Sequence, residues 1–150
     1  MSGRYTIIIE AALPARVDLA ALRRIATKTL RIERVEPPAQ IVVALIDDDA
    51  IRALNRRYRG VNRPTDVLSF AAGDTMPGDS PRRHIADIAI SLETARRQAR
   101  QYRVRLQHEV SHLLVHGILH ALGYDHEAPA DEAVMRRREE QVLRSACHHH

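Results

Sequence analysis

The 150-residue chain is expected to fold as one α+β domain, a small four-stranded sheet packed against helices, with a central helix carrying metal-binding histidines. Three observations predict this. Short β-branched runs alternate with stretches of helical apolar period, which marks a chain of mixed elements. Hydrophobic residues make up 45% of a chain too short for two comfortable domains, so a single packed core follows. Near the C-terminal end, His116, His120 and His126 are spaced by four and six, with Gly123 midway between the last two.

Taken in order, residues 5–10 (Tyr-Thr-Ile-Ile-Ile-Glu) form a β-branched strand. Asp18 can cap a helix to about Arg31, whose apolar stripe is Leu19, Leu22, Ile25, Ala26 and Leu30. Pro37-Pro38 breaks the chain. Residues 40–46 (Gln-Ile-Val-Val-Ala-Leu-Ile) read as a strand buried on both faces. Asp47-Asp48-Asp49 opens a helix at about 48–57, because carboxylates favour a helix N-terminus. A short strand follows at 66–70, then a loop rich in Gly, Pro, Asp and Arg at 72–83. A further strand is expected at 84–90, a helix through about Tyr102, the histidine helix at about 104–122, and a last helix from near Asp131. The domain spans 1–147, and His148–His150 look like the start of a purification tag.

Composition excludes several functions. Aromatic residues are only 3%, so the core is aliphatic and the stacking sheet of common RNA-recognition domains is not available. The single Cys147 rules out a disulfide framework and a cysteine zinc site. No signal-peptide core and no long apolar run is visible, so a cytoplasmic protein with no membrane partner is expected. Net charge is +4, and Lys28 is the only lysine, so the positive charge is almost all arginine. Arginine suits phosphate because its planar fork makes paired hydrogen bonds.

The histidine spacing carries the chemistry. Residues four apart share one helix face, so His116 and His120 can reach one ion. Gly123 can end the helix in a left-handed turn that returns His126 to the same point. Three imidazoles with an open fourth position suit one Zn2+ ion. The spacing is that of the metzincin proteases, which place a glutamate directly after the first histidine as base. Here that position is Gly117, so peptide hydrolysis lacks its usual base. Just upstream, His108-Glu109-Val110-Ser111-His112 satisfies the literal His-Glu-x-x-His pattern. Four histidines stepping every fourth residue drift about 40° per step and cannot all hold one ion. The upstream pair also has no marked third ligand, yet it leaves a metallopeptidase relying on Glu109 as an alternative.

A second cluster, Asn55-Arg56-Arg57-Tyr58-Arg59-Gly60-Val61-Asn62-Arg63-Pro64-Thr65-Asp66, places four arginines at a helix end and loop. Attack on a phosphodiester builds charge on its non-bridging oxygens, and an aimed arginine stabilises it. Beside a tripod without a carboxylate base, the cluster favours phosphate over peptide.

The run from His116 to His126 resembles the signature of the YbeY family of bacterial rRNA-maturation endoribonucleases. Leu54-Asn55, Tyr58-Arg59-Gly60 and Pro64-Thr65-Asp66-Val67-Leu68-Ser69-Phe70 are similar to its second motif, and Asp87-Ile88 to its Gly-Asp-Ile strand. Order and separation agree over about residues 40–127. The resemblance implies His116, His120 and His126 as zinc ligands and Arg59 as the catalytic, phosphate-facing arginine. It implies a mixed sheet, single-stranded RNA and the 16S rRNA precursor as substrate, ribosomal small-subunit partners, and a role in 3′-end maturation and ribosome quality control. No dinucleotide cofactor is expected. Ala86 departs from the family, which usually has glycine there. Zinc would lower the pKa of its water toward about 7, or polarise the phosphate while the RNA 2′-hydroxyl attacks. Asp125 can orient His126, or serve only the turn. A non-catalytic ribosome-binding factor with structural zinc is the other alternative.

Overall fold

The computed structural model describes residues 4–12, 16–71, 84–124 and 129–147. Their elements run β1 (Tyr5–Ala11), α1 (Leu19–Ile32), β2 (Ala39–Ile46), α2 (Asp48–Arg59), β3 (Val67–Ala71), β4 (His84–Ser91), α3 (Leu92–Tyr102), α4 (Leu106–Ala121) and α5 (Pro129–Cys147). The strands form one mixed sheet in the order β1-β2-β4-β3. β1, β2 and β4 are parallel, and β3 closes one edge antiparallel to β4. The α+β fold expected from the alternating patterns is therefore the fold observed. The loop expected at 72–83 lies outside the described residues.

Caps set the helices where the sequence signals them. The Asp18 carboxylate accepts from the Ala21 amide and the Asp47 carboxylate from the Ala50 amide. The second helix runs two residues past the expected end at 57, to Arg59, because Gly60 takes the left-handed conformation (φ 73°) and closes the last turn on Arg56. The last helix begins at Pro129 rather than near Asp131, and proline is favoured in a first helical turn.

The two faces of the sheet are covered unequally. Ile7, Ile41, Val43, Leu45, Ile88 and Ile90 pack with α1 and α4 into the main core. On the other face, Leu68, Phe70 and Ala89 pack with Ile51 of α2 in a smaller cluster. β2 therefore alternates buried and half-buried residues, instead of being buried on both faces as its apolar run suggested. One short amphipathic helix does not cover the second face of a four-stranded sheet. Ala86 is fully buried and faces the main core, and the β2–β4 register shifts immediately before it, between Gln40 and Ile41.

α4 is the central helix. It touches α1, α3 and α5 and both β3 and β4. Its residues Val110, Leu114, Val115, Ile118 and Leu119 are fully buried, each contributing about 1.5–3 kcal/mol where the side chain is large. Along 109–119 only His112 and His116 escape full burial, and His120 continues the same seam. Apart from the buried Glu109 and Ser111, this stretch of the helix is thus apolar around a stripe of imidazoles.

Candidate functional site

Helical period puts the His116 and His120 rings beside one another, with centroids 6.3 Å apart and planes 11° from parallel. His112 lies a turn earlier, its ring centroid 6.4 Å from that of His116. The His116 Nδ1–H donates to Glu139 Oε1 of α5 at 2.8 Å. That hydrogen bond raises the His116 pKa above the ordinary 6.5, and the carboxylate's charge adds to it against the opposing effect of burial. A carboxylate on one ring nitrogen is the arrangement that orients a metal-ligating imidazole and leaves coordination to the other nitrogen. The His116–Glu139 pair has the chemistry that such a ligand would need. No sequence signal marks Glu139: it sits 23 residues away inside the charged run Arg136-Arg137-Arg138-Glu139-Glu140.

Beyond α4 the chain turns as the glycine predicts. Gly123 adopts φ 112°, and the Tyr124 amide donates back to the Leu119 carbonyl. The Tyr124 hydroxyl donates to Glu33 Oε1 at 2.6 Å, and Glu33 pairs with Arg138 of α5. The turn is thereby fixed up to Tyr124. Asp125 and His126 lie outside the described residues. Among the described residues, no three His, Cys, Asp or Glu side chains are grouped to hold a metal ion, the upstream His108, Glu109 and His112 included.

Arg59 comes from the last turn of α2 on the opposite side of the sheet. Its guanidinium donates to the Ser69 carbonyl at 2.8 Å and lies over the Phe70 ring, 5.2 Å from the centroid. The Ser69 hydroxyl in turn donates to the Gly117 carbonyl at 2.8 Å. Ser69 therefore joins the arginine to the helix segment between His116 and His120. Gly117 has no room for a side chain: an added Cβ would sit 2.9 Å from Ile88 Cγ2 and 3.1 Å from Ser69 Oγ. The position where metzincins carry their base is thus pressed against the sheet, and a carboxylate cannot be housed there. Arg56 and Arg57 are exposed on the same helix end. The Asn55 amide donates to the Arg63 carbonyl, stapling the arginine loop rather than facing substrate.

A cavity of about 380 Å³ opens beside His116, walled by Asp66, Gln98, Tyr102, His108, Glu109 and His112. Glu109 is only 5% exposed. Burial raises its carboxyl above the ordinary 4.5, with His112 and His108 pulling down and Asp66 pushing up.

The family model for Endoribonuclease YbeY matches residues 11–146. An Endoribonuclease YbeY of Roseiflexus sp. (strain RS-1) is 45% identical over 148 residues, 93% of this chain and 92% of the relative. That of Pelotomaculum thermopropionicum is 45% identical over 124 residues, covering 81% of this chain and 82% of its own. A solution structure of a Thermotoga maritima protein superposes with a TM-score of 0.63 at 26% identity, over 94% of this chain and 89% of that one. A match spanning nearly the whole chain, with relatives near half identical, establishes the kinship: the chain belongs to the YbeY family of endoribonucleases.

Proposed function

We propose that this protein is a zinc-dependent endoribonuclease that cleaves single-stranded RNA in the cytoplasm, acting on the 16S rRNA precursor in 3′-end maturation and ribosome quality control. The observation that carries this reading is the pair of hydrogen bonds through Ser69 that ties Arg59 to the His116–His120 segment. It couples a phosphate-binding cation to a metal-ligating helix. The family's name supplies the reaction class.

His116 and His120, with His126 as third ligand, would hold one zinc ion. Such an ion, when bound, supplies Lewis acidity toward the phosphate and the attacking oxygen. Glu139 holds the His116 ring by its Nδ1–H. Arg59 uses one of its five N–H donors on Ser69 and keeps others for the non-bridging phosphate oxygens. Stacking over Phe70 limits its rotamers, so little side-chain freedom is lost when phosphate arrives. Arg56 and Arg57 extend the positive surface along the neighbouring backbone. Gly117 supports phosphoryl rather than peptide chemistry, because the helix approaches the sheet too closely for a base.

Metal-analysed protein given single-stranded RNA and a denatured protein side by side, with and without chelator, tests this reading. RNA should be cut, the protein spared, and cutting should stop on chelation and return with zinc. Proteolysis dependent on Glu109 would support the metallopeptidase alternative; RNA bound but left intact with zinc present would support a non-catalytic ribosome-binding factor. A 2′,3′-cyclic phosphate on the product would assign attack to the RNA's own 2′-hydroxyl, and its absence would assign it to water.

A further inference from the structure

Glu109 is a buried carboxyl with no use in the mechanism above. It is 5% exposed, and among the described residues only burial and nearby charges act on it, with no hydrogen bond to its carboxyl. Neighbouring Asp66 is different: its Oδ1 accepts from the Val67 amide and its Oδ2 from the Gln98 amide. The Glu109 oxygens are not sealed from solvent, unlike Glu33 Oε2, so the carboxyl is open to a ligand that enters the cavity. The cavity it faces shares His116 with the histidine seam.

We infer that this cavity is a base-recognition subsite, in which Glu109 hydrogen-bonds the amino-bearing edge of one unpaired nucleobase next to the scissile phosphate while Tyr102 packs on its face. The inference rests on the RNA-cleaving reading. Three observations support it. The volume of about 380 Å³ admits a single base. Tyr102, at the end of α3, is 60% exposed, an unusual position for an aromatic side chain unless it has something to cover. His116 forms part of its wall, so the subsite borders the histidine seam.

The chemistry predicts which bases fit. Adenine, cytosine and guanine each carry an exocyclic amino group beside a ring nitrogen on the pairing edge. An ionised carboxylate only accepts, and it takes two bonds from guanine, whose ring N–H and exocyclic amino group lie side by side. Adenine and cytosine offer the amino group beside a bare ring nitrogen, and uracil offers a ring N–H between two carbonyl oxygens. Each of these makes one bond and sets a lone pair against the carboxylate. A protonated carboxyl donates as well as accepts, and so pairs with all four bases. The subsite should therefore select guanine while Glu109 is ionised.

The test uses single-stranded oligoribonucleotides that differ in one base, moved across the cut site, together with titration of the four nucleoside 5′-monophosphates into zinc-loaded protein. At one position, kcat/KM should be at least about tenfold higher for G than for A, C or U, the discrimination of a bidentate contact that the other three lack. Glu109→Gln should bring the four bases within about threefold of each other, because an amide donates and accepts and so pairs with the edge of every base. Melting temperature and zinc content should stay at wild-type values, which separates recognition from a structural role. Tyr102→Ala should slow all four substrates about tenfold without changing their order. Cleavage with no base preference at any position, or a Glu109→Gln protein keeping the wild-type order, would overturn the inference. Monophosphate binding with a Glu109-dependent preference, in a protein that cuts no RNA, would uphold the subsite and sink the cleavage reading instead.

Discussion

Asp48 and Glu109 are both carboxyls drawn into the protein, and their surroundings are opposite. At the α2–α3 corner, Asp48 Oδ1 accepts from the Ser91 and Thr94 hydroxyls, each at 2.6 Å, and Oδ2 accepts from Arg97 at 2.8 Å. Burial alone would raise its pKa, but those hydrogen bonds and the Arg97 charge outweigh it and hold the carboxyl below its ordinary 3.8. In the cavity beside His116, Glu109 has burial and no donor, and its pKa is raised. The first carboxylate is finished by the fold and stabilises it. The second is left unfinished at a stability cost, which is where a ligand contact is expected.

Removing the finished group should cost most. Asp48→Ala strands two hydroxyls and a guanidinium, and should lower stability by about 2–3 kcal/mol in chemical denaturation, with kcat for RNA at 25 °C unchanged. A changed kcat would mean that the corner reaches the active centre and the contrast is false. Glu139 sharpens the comparison, being a finished carboxylate inside the site. Glu139→Gln should weaken zinc binding about 10- to 100-fold, read by competition with a chromophoric chelator. Unaltered zinc affinity would remove Glu139 from the site.

Smaller and opposite in sign is Glu109→Leu. Replacing an unpaired buried carboxyl by an apolar side chain of similar size should raise stability by about 1 kcal/mol. A loss of that size would reveal a partner that the carboxyl already has. The pH dependence should be the most subtle difference. Asp48, with a lowered folded pKa, contributes stability that is present above about pH 3.8 and lost as pH falls through its folded value. Glu109, with a raised folded pKa, contributes stability that is present below about pH 4.5 and lost as pH rises through its folded value. Denaturation across the acid range should show Glu109→Leu without the loss on rising pH and Asp48→Ala without the loss on falling pH.

The same contrast separates what the sequence makes legible from what it hides. Local rules carry far: Asp18 and Asp47 cap where carboxylates should, Gly60 and Gly123 take the left-handed turns, and the histidine period runs along one seam of α4. Groups meeting across the fold leave no local trace. Glu139 reaches His116 from another helix, and Ser69 reaches both Arg59 and Gly117 from the edge strand. Gly117 was legible as a missing base, while the reason for it, close approach to Ile88, exists only once helix and sheet are packed. The apolar run of β2 overstated its burial because a run reports hydrophobicity and not how many helices lie on each face. The candidate residues on α4 and α2 stand out by spacing and charge; the cavity beside them does not.

Arg59→Ala is the most direct test of the account, because it removes the phosphate partner and leaves the histidines in place. Cleavage of single-stranded RNA by zinc-loaded protein, measured with zinc content and melting temperature on the same sample, should fall about 100- to 1,000-fold while both controls hold. Cleavage at the wild-type rate, or a loss of zinc or of the fold alongside activity, would contradict the role assigned to Arg59 and with it the coupling through Ser69.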